Sequence, residues 1–268
     1  MARGQPVRVG SRSGTPRFDW EDPDTWRPAL RDVGAAYINY YPDLAIPGAA
    51  ERVRAFVESA LEHDVRRLVL LSGRGEEEAQ RTERVVQGSG ANWTILRASW
   101  FAQNFSEGFL LDGVRTGVLA LPAGTVPEPF VDAEDIADVA VVALTDDRHA
   151  GQLYELTGPR LLTFAQAVDE IASATGRDIR YVQISSEEFT TGLAQQELPG
   201  NIVWLLTYLF DTVLDGRNAS LADGVQRAIG REPRDFARYT RAAAASGHWN
   251  PRAATSPVDF PPAGSTTG

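Results

Sequence analysis

Short apolar or β-branched runs alternate with stretches of helical period through the first 150 residues. Pro6-Val7-Arg8-Val9 reads as a strand ending in the polar turn Gly10-Ser11-Arg12-Ser13-Gly14, and Arg17-Phe18-Asp19-Trp20 as a second, very short strand. Residues 35–41 form a third, stopped by Pro42. Over residues 48–63, Ala50, Val53, Val57, Ala60 and Leu61 recur on one helical face. Arg67-Leu68-Val69-Leu70-Leu71 has the unbroken apolar character of a buried parallel strand, and a polar turn, Ser72-Gly73-Arg74-Gly75, follows it. Residues 76–87 then predict a helix whose acidic first turn suits the helix dipole, and Trp93-Thr94-Ile95-Leu96 the next buried strand. This β-α-β-α-β rhythm predicts an α/β fold, a parallel sheet covered by helices on both faces.

The later half changes character. Residues 118–121, Phe130-Val131 and residues 152–156 read as strands, with a helix over 132–145. Residues 163–175 predict an amphipathic helix capped by Thr163 and stopped by Gly176. Residues 179–184 alternate like a half-buried strand, and Ser185-Ser186-Glu187-Glu188 opens another helix. From Pro199 onward the pattern is helical, with Val203, Leu206, Leu209, Phe210 and Val213 on one face. The expected organisation is a sheet domain over residues 1–150, a smaller, mostly helical lobe over 151–249 and a disordered tail over 250–268, rich in Pro, Ser, Thr and Gly.

Composition narrows the chemistry. All 26 basic residues are arginine, which removes Schiff-base formation and the phosphate-loop lysine. Cysteine is absent, and His63, His149 and His248 are widely spaced, so the sequence offers neither a thiolate nucleophile nor a histidine or cysteine metal site. A formal charge of −10 argues against a nucleic-acid partner. The longest apolar stretch, residues 202–210, is about half a membrane span, and no signal-like apolar run opens the chain. Those features predict a cytoplasmic protein away from membranes.

The order of several phrases resembles the NmrA-like branch of atypical short-chain dehydrogenase/reductases, festuclavine dehydrogenase-type proteins in particular. They include Ser11-Arg12-Ser13, Phe18-Asp19-Trp20, Trp93-Thr94-Ile95-Leu96-Arg97, Trp100-Phe101-Ala102-Gln103-Asn104-Phe105, Pro129-Phe130-Val131-Asp132, Asp135-Ile136-Ala137 and Leu156-Thr157-Gly158-Pro159. The resemblance implies a Rossmann-like doubly wound sheet and a nicotinamide cofactor. Members open with a strand and a glycine-rich turn, T-G-x-x-G-x-x-G, and no such turn occurs in these residues. Met1–Gln5 matches the tail of the helix that follows it. The expectation is therefore a chain lacking the first βα unit, starting about twenty residues late, with impaired cofactor binding.

The same resemblance implies the site. Ser11, Arg12 and Ser13 would read the adenosine ribose, and an arginine there favours NADP(H) over NAD(H). Asp19 would face the adenine, while Tyr40 and Tyr41, Ser72 and Gly73, and Ala98 and Ser99 would border the cofactor after successive strands. Trp100, Phe101, Asn104 and Phe105 would line the substrate pocket. The Tyr-x-x-x-Lys relay of ordinary short-chain reductases has no counterpart, because Ala79 stands at the lysine position. Glu83, four residues on, reads as a helix-surface or structural residue, and no catalytic residue is assigned. The implied function is hydride transfer to an already electrophilic small-molecule substrate; the alternative is a dinucleotide sensor that binds protein partners.

Overall fold

The structure, a computed structural model, describes residues 6–251. Met1–Gln5 and nearly all of the tail fall outside the described residues. The elements are α1 (Trp26–Leu30), β1 (Ala35–Ile38), α2 (Ala49–Glu62), β2 (Arg67–Gly73), α3 (Glu77–Gln87), β3 (Asn92–Ala98), α4 (Asn104–Glu107), α5 (Leu111–Thr116) and β4 (Val118–Leu121). After these come α6 (Ala133–Thr145), β5 (Gln152–Leu156), α7 (Phe164–Thr175), β6 (Arg180–Gln183), α8 (Ser186–Ala194), α9 (Gly200–Tyr208), α10 (Gly224–Ile229) and α11 (Phe236–Ala245). A π-helical turn, Leu209–Val213, prolongs α9.

Four strands form a parallel sheet in the order β1-β2-β3-β5. Their register sets Tyr37 beside Val69, Val69 beside Thr94 and Thr94 beside Gln152. Strand pleating sends alternate side chains to opposite faces. Leu68, Leu70 and Ile95 pack with Trp26, Val53, Phe56 and Val57 of α1 and α2 and with Ala79 and Val86 of α3. Val69, Leu96 and Tyr154 pack on the other face with Ile136 and Val139 of α6 and Val225 of α10. Helices thus cover both faces, as the alternation of runs implies.

Gly224 lets α10 touch β5, because a Cβ there would lie 2.1 Å from the Glu155 carbonyl oxygen. Gly224→Ala is expected to push α10 off the sheet at a cost of about 1–3 kcal/mol; an unchanged thermal midpoint would contradict the contact.

A third apolar cluster lies beyond the carboxyl ends of the strands. Trp100 and Phe105 join Phe130, Phe164, Phe210 and Phe236 there, with β4 and β6 paired in parallel at its margin. Residues 100–126 belong to this lobe while β5 and α10 belong to the sheet, so the lobe draws on chain either side of residue 150. α7 carries a capping box between Thr163 and Gln166 and ends at Gly176 in the left-handed conformation.

Three expected strands are absent. Pro6–Val9 is irregular and open to solvent, with Val7 77% and Val9 72% exposed. Among the described residues nothing pairs with the outer edge of β1, and without a neighbour to bond, a β-prone run stays irregular. Arg17-Phe18-Asp19-Trp20 contributes single bridges, Ser11 to Arg17 and Asp19 to Asp22, that make a turn. Phe130-Val131 is likewise reduced to one bridge, Val131 to Phe101.

Candidate functional site

Parallel strands place their carboxyl ends, and the turns that follow, along one edge of a sheet. Here that edge carries Tyr40 and Tyr41 after β1, Ser72 to Arg74 at the end of β2, Ala98 to Trp100 at the end of β3, and Thr157 and Gly158 after β5. The expected site residues come together along it only in part.

At the β1 end, Arg12 sits over the Tyr41 ring, 5.6 Å from its centroid. Both side chains are exposed, so this contact brings the candidate ribose reader to the sheet edge. Ser11 is half-buried and Ser13 exposed beside Arg12. Tyr40 is buried instead, its ring 5.0 Å from that of Trp20. The Asp19 carboxylate already accepts from Arg17 at 2.7 Å and from the Glu21 amide at 3.1 Å, and those bonds hold it below the usual carboxylate range. It works as a turn cap.

At the centre, Ser72 donates to Glu83 at 2.7 Å, and Glu83 also takes two hydrogen bonds from Arg97. Arg97 reaches on to Glu155 at 2.9 Å. Glu83 is thus no surface residue: it is 3% exposed and ties α3 to β2 and β3. The Glu76 carboxyl lies against Gly73, where a Cβ would fall 2.0 Å from Oε1. Burial, then the Asp43 charge and the hydrogen bond between the two carboxyls, raise Glu76 well above the ordinary range; burial raises Asp43 as well.

The lobe is fastened over the edge. Arg74 donates to Glu155, to the carbonyls of Asn218 and Ser220 and to the Ser220 hydroxyl, while Asn218 returns a bond to the Arg74 carbonyl at 3.0 Å. Gln103 holds the segment after β3 to the start of α6, bonding Asp132 and the Ala133 amide, each at 2.8 Å. Trp100 is nearly buried and packs on Phe164 and Phe210. Phe105 is fully enclosed among Phe130, Phe164 and Phe236 and its carbonyl accepts from the Trp249 indole, so it is lobe core; Phe101 and Asn104 are half-buried.

Three side chains along this edge carry buried polar atoms with no partner in the protein: Ser99 through its hydroxyl, Glu128 through both carboxyl oxygens and Glu76 through Oε2. Buried polar groups are nearly always hydrogen-bonded, so their convergence on one edge is what a ligand site leaves open. A nicotinamide ribose and carboxamide offer such donors and acceptors, and on this test the β3 end fits that half of a dinucleotide. Glu128, Glu76 and the pairing of Arg97 with Glu83 were not expected from the sequence. The spacing of Ala79, Glu83 and Val86, one helical face, was a signal for Glu83; for Glu128 the only one was an acid bracketed by Pro127 and Pro129.

The fold is that of dinucleotide-binding proteins. It matches NADPH-dependent quinone oxidoreductase QOR2 of Escherichia coli, solved with NADPH, with a TM-score of 0.71 at 21% identity over 85% of this chain and 82% of that one. It also matches NmrA, a negative transcriptional regulator solved with NAD, with a TM-score of 0.64 at 14% identity over 87% of this chain and 81% of that one. In sequence the chain is 30% identical over 259 residues to agroclavine dehydrogenase of Claviceps fusiformis, spanning 87% of each. The NmrA-like family profile matches residues 49–241. The chain belongs to the NmrA-like family. Among the described residues no helix is long and apolar enough to cross a membrane.

Proposed function

We propose that the protein is a nicotinamide-dependent reductase of small organic molecules, working by hydride transfer without a Tyr/Lys relay and preferring NADP(H) to NAD(H). The observation that carries this reading is the pair of unpartnered buried groups, Ser99 and Glu128, at a sheet edge roofed by an aromatic lobe. Ser72, Gly73, Ala98 and Ser99 would border the nicotinamide end. Arg12, exposed above Tyr41, would clamp the 2′-phosphate, with Ser11 and Ser13 as hydroxyl donors. Bound cofactor supplies the hydride; Trp100, Phe101 and Asn104 would wall and orient the acceptor. Agroclavine dehydrogenase and QOR2, by their names, are oxidoreductases, which supports the class.

NADPH is expected to bind more tightly than NADH, and Arg12→Ala to reduce that preference about tenfold or more through loss of a charged hydrogen-bonded pair. Calorimetric titration of both cofactors checks it. A second reading, a dinucleotide sensor acting through protein partners, is favoured by the likeness to NmrA. Substrate-dependent NADPH oxidation separates the two, since a sensor binds without turnover.

A further inference from the structure

Glu128 lies at the meeting point of the sheet edge and the lobe. Its amide donates to the Leu162 carbonyl at 2.9 Å and its carbonyl accepts from the Leu162 amide at 3.0 Å. The next residues thread past the ends of β3 and β5: the Pro129 carbonyl accepts from Gly158 at 3.0 Å, and Val131 donates to the Trp100 carbonyl at 2.9 Å. The carboxyl is wholly buried and neither oxygen has a donor. Two charged groups face it, Arg74 from the end of β2 and Asp215 from the turn after α9. Arg74 directs its guanidinium to Glu155, Asn218 and Ser220, so no ion pair with Glu128 forms.

The reductase reading leaves a proton unaccounted for. Hydride addition to a conjugated carbonyl places charge on oxygen, and the usual tyrosine–lysine source is missing from this chain. Ser72 is committed to Glu83. His149 precedes β5, on the opposite edge of the sheet, with its ring against Tyr154. Asp43 and Glu76 face each other on the β1 side, both raised by burial. Among the described residues Glu128 is the carboxyl whose two oxygens are both buried and unpartnered; Glu76 leaves only Oε2 open, and the unpartnered Tyr239 hydroxyl belongs to α11, its ring packed against Phe236 and Trp249.

We propose that Glu128 is the acid of the reduction, and that the substrate class is a neutral conjugated carbonyl, such as an enone or quinone, whose reduction consumes a proton. This rests on the reductase reading above. As the carbon–hydride bond forms, the two electrons of the double bond move toward the carbonyl oxygen, the Glu128 O–H bond breaks, and its proton neutralises the developing enolate. The carboxylate left behind regains a proton from water, so one hydride and one proton are consumed per double bond. Burial, opposed by Arg74 and aided by Asp215, pushes Glu128 up to about 7, a value that suits an acid at neutral pH.

The test compares the 268-residue chain with Glu128→Gln, using a naphthoquinone and cyclohexenone as neutral acceptors and a preformed iminium ion as one that needs no proton. In the ligand-free protein, the infrared difference between wild type and E128Q should show a protonated carboxyl band that vanishes above about pH 7. With NADPH in excess, E128Q should lower kcat for the neutral acceptors by about 10²–10³-fold and flatten the wild-type decline above pH 7. Iminium reduction, which needs no proton, should fall far less than reduction of the neutral acceptors. Equal loss with all acceptors, an unmoved pH profile, or a wild-type minus E128Q difference without such a band would overturn the assignment while leaving a reductase. No turnover by the wild type would overturn the reductase reading and this assignment together. Circular dichroism of E128Q checks its fold, and the wild-type pH profile stands without the variant.

Discussion

Asp135→Ala is expected to destabilise the protein by about 3–5 kcal/mol, the cost of leaving buried charge without its partner. For a chain of this size that lowers the thermal midpoint by roughly 10 °C. Asp135 is completely enclosed on α6. It accepts from Arg231 at 2.6 Å, from the Arg234 guanidinium, and from the Arg234 amide at 2.6 Å. The two arginines lie between α10, which packs on the sheet, and α11, which packs in the lobe, so this one carboxylate pins the junction. Asp138 touches the same arginines from a site one-third exposed, where solvent already satisfies much of its charge. Asp138→Ala should therefore cost under about 1 kcal/mol. Urea unfolding of both variants measures the contrast, and equal costs would refute the fastening role of Asp135.

That junction was visible in the sequence only as the phrase Asp135-Ile136-Ala137, with nothing local to show which partners the aspartate takes. Local signals served well where the local environment decides the conformation. The continuous run Arg67 to Leu71 is a strand because both of its faces are covered, and the capping pair Thr163 and Gln166 bonds within one turn. They failed where structure needs a distant partner. Pro6 to Val9 has the composition of a strand, but a strand is stabilised by its neighbours, and among the described residues no strand pairs with it. The same division runs through the site. Chain order alone brought Ser72, Gly73, Ala98 and Ser99 to one edge, since successive parallel strands end there. Which of them keeps a free hydrogen-bonding group depends on contacts across the fold: Glu83 reaches Ser72, and nothing reaches Ser99.

Glu128 makes a prediction about stability that holds whatever the protein reduces. A carboxyl with an unfolded value of 4.5 and a folded value of about 7 binds its proton more tightly in the folded state. Its contribution to stability is therefore fully present below about pH 4.5 and is lost as pH rises through about 7, by 1.36 kcal/mol per unit of separation, or about 3 kcal/mol in all. Glutamine has nearly the same shape and no charge to desolvate, so E128Q escapes this loss. Other titrating groups act on both proteins alike, and the difference between them isolates position 128. The stability advantage of E128Q over wild type, measured by urea unfolding, should be about 2–3 kcal/mol larger at pH 8 than at pH 5. An advantage that does not change with pH would mean that Glu128 keeps the same charge in the folded and unfolded states, against the burial and missing partners seen here. An advantage that grows as expected would show a natural chain retaining an acid that a single neutral substitution improves, a cost that is understandable when the group's partner is a ligand.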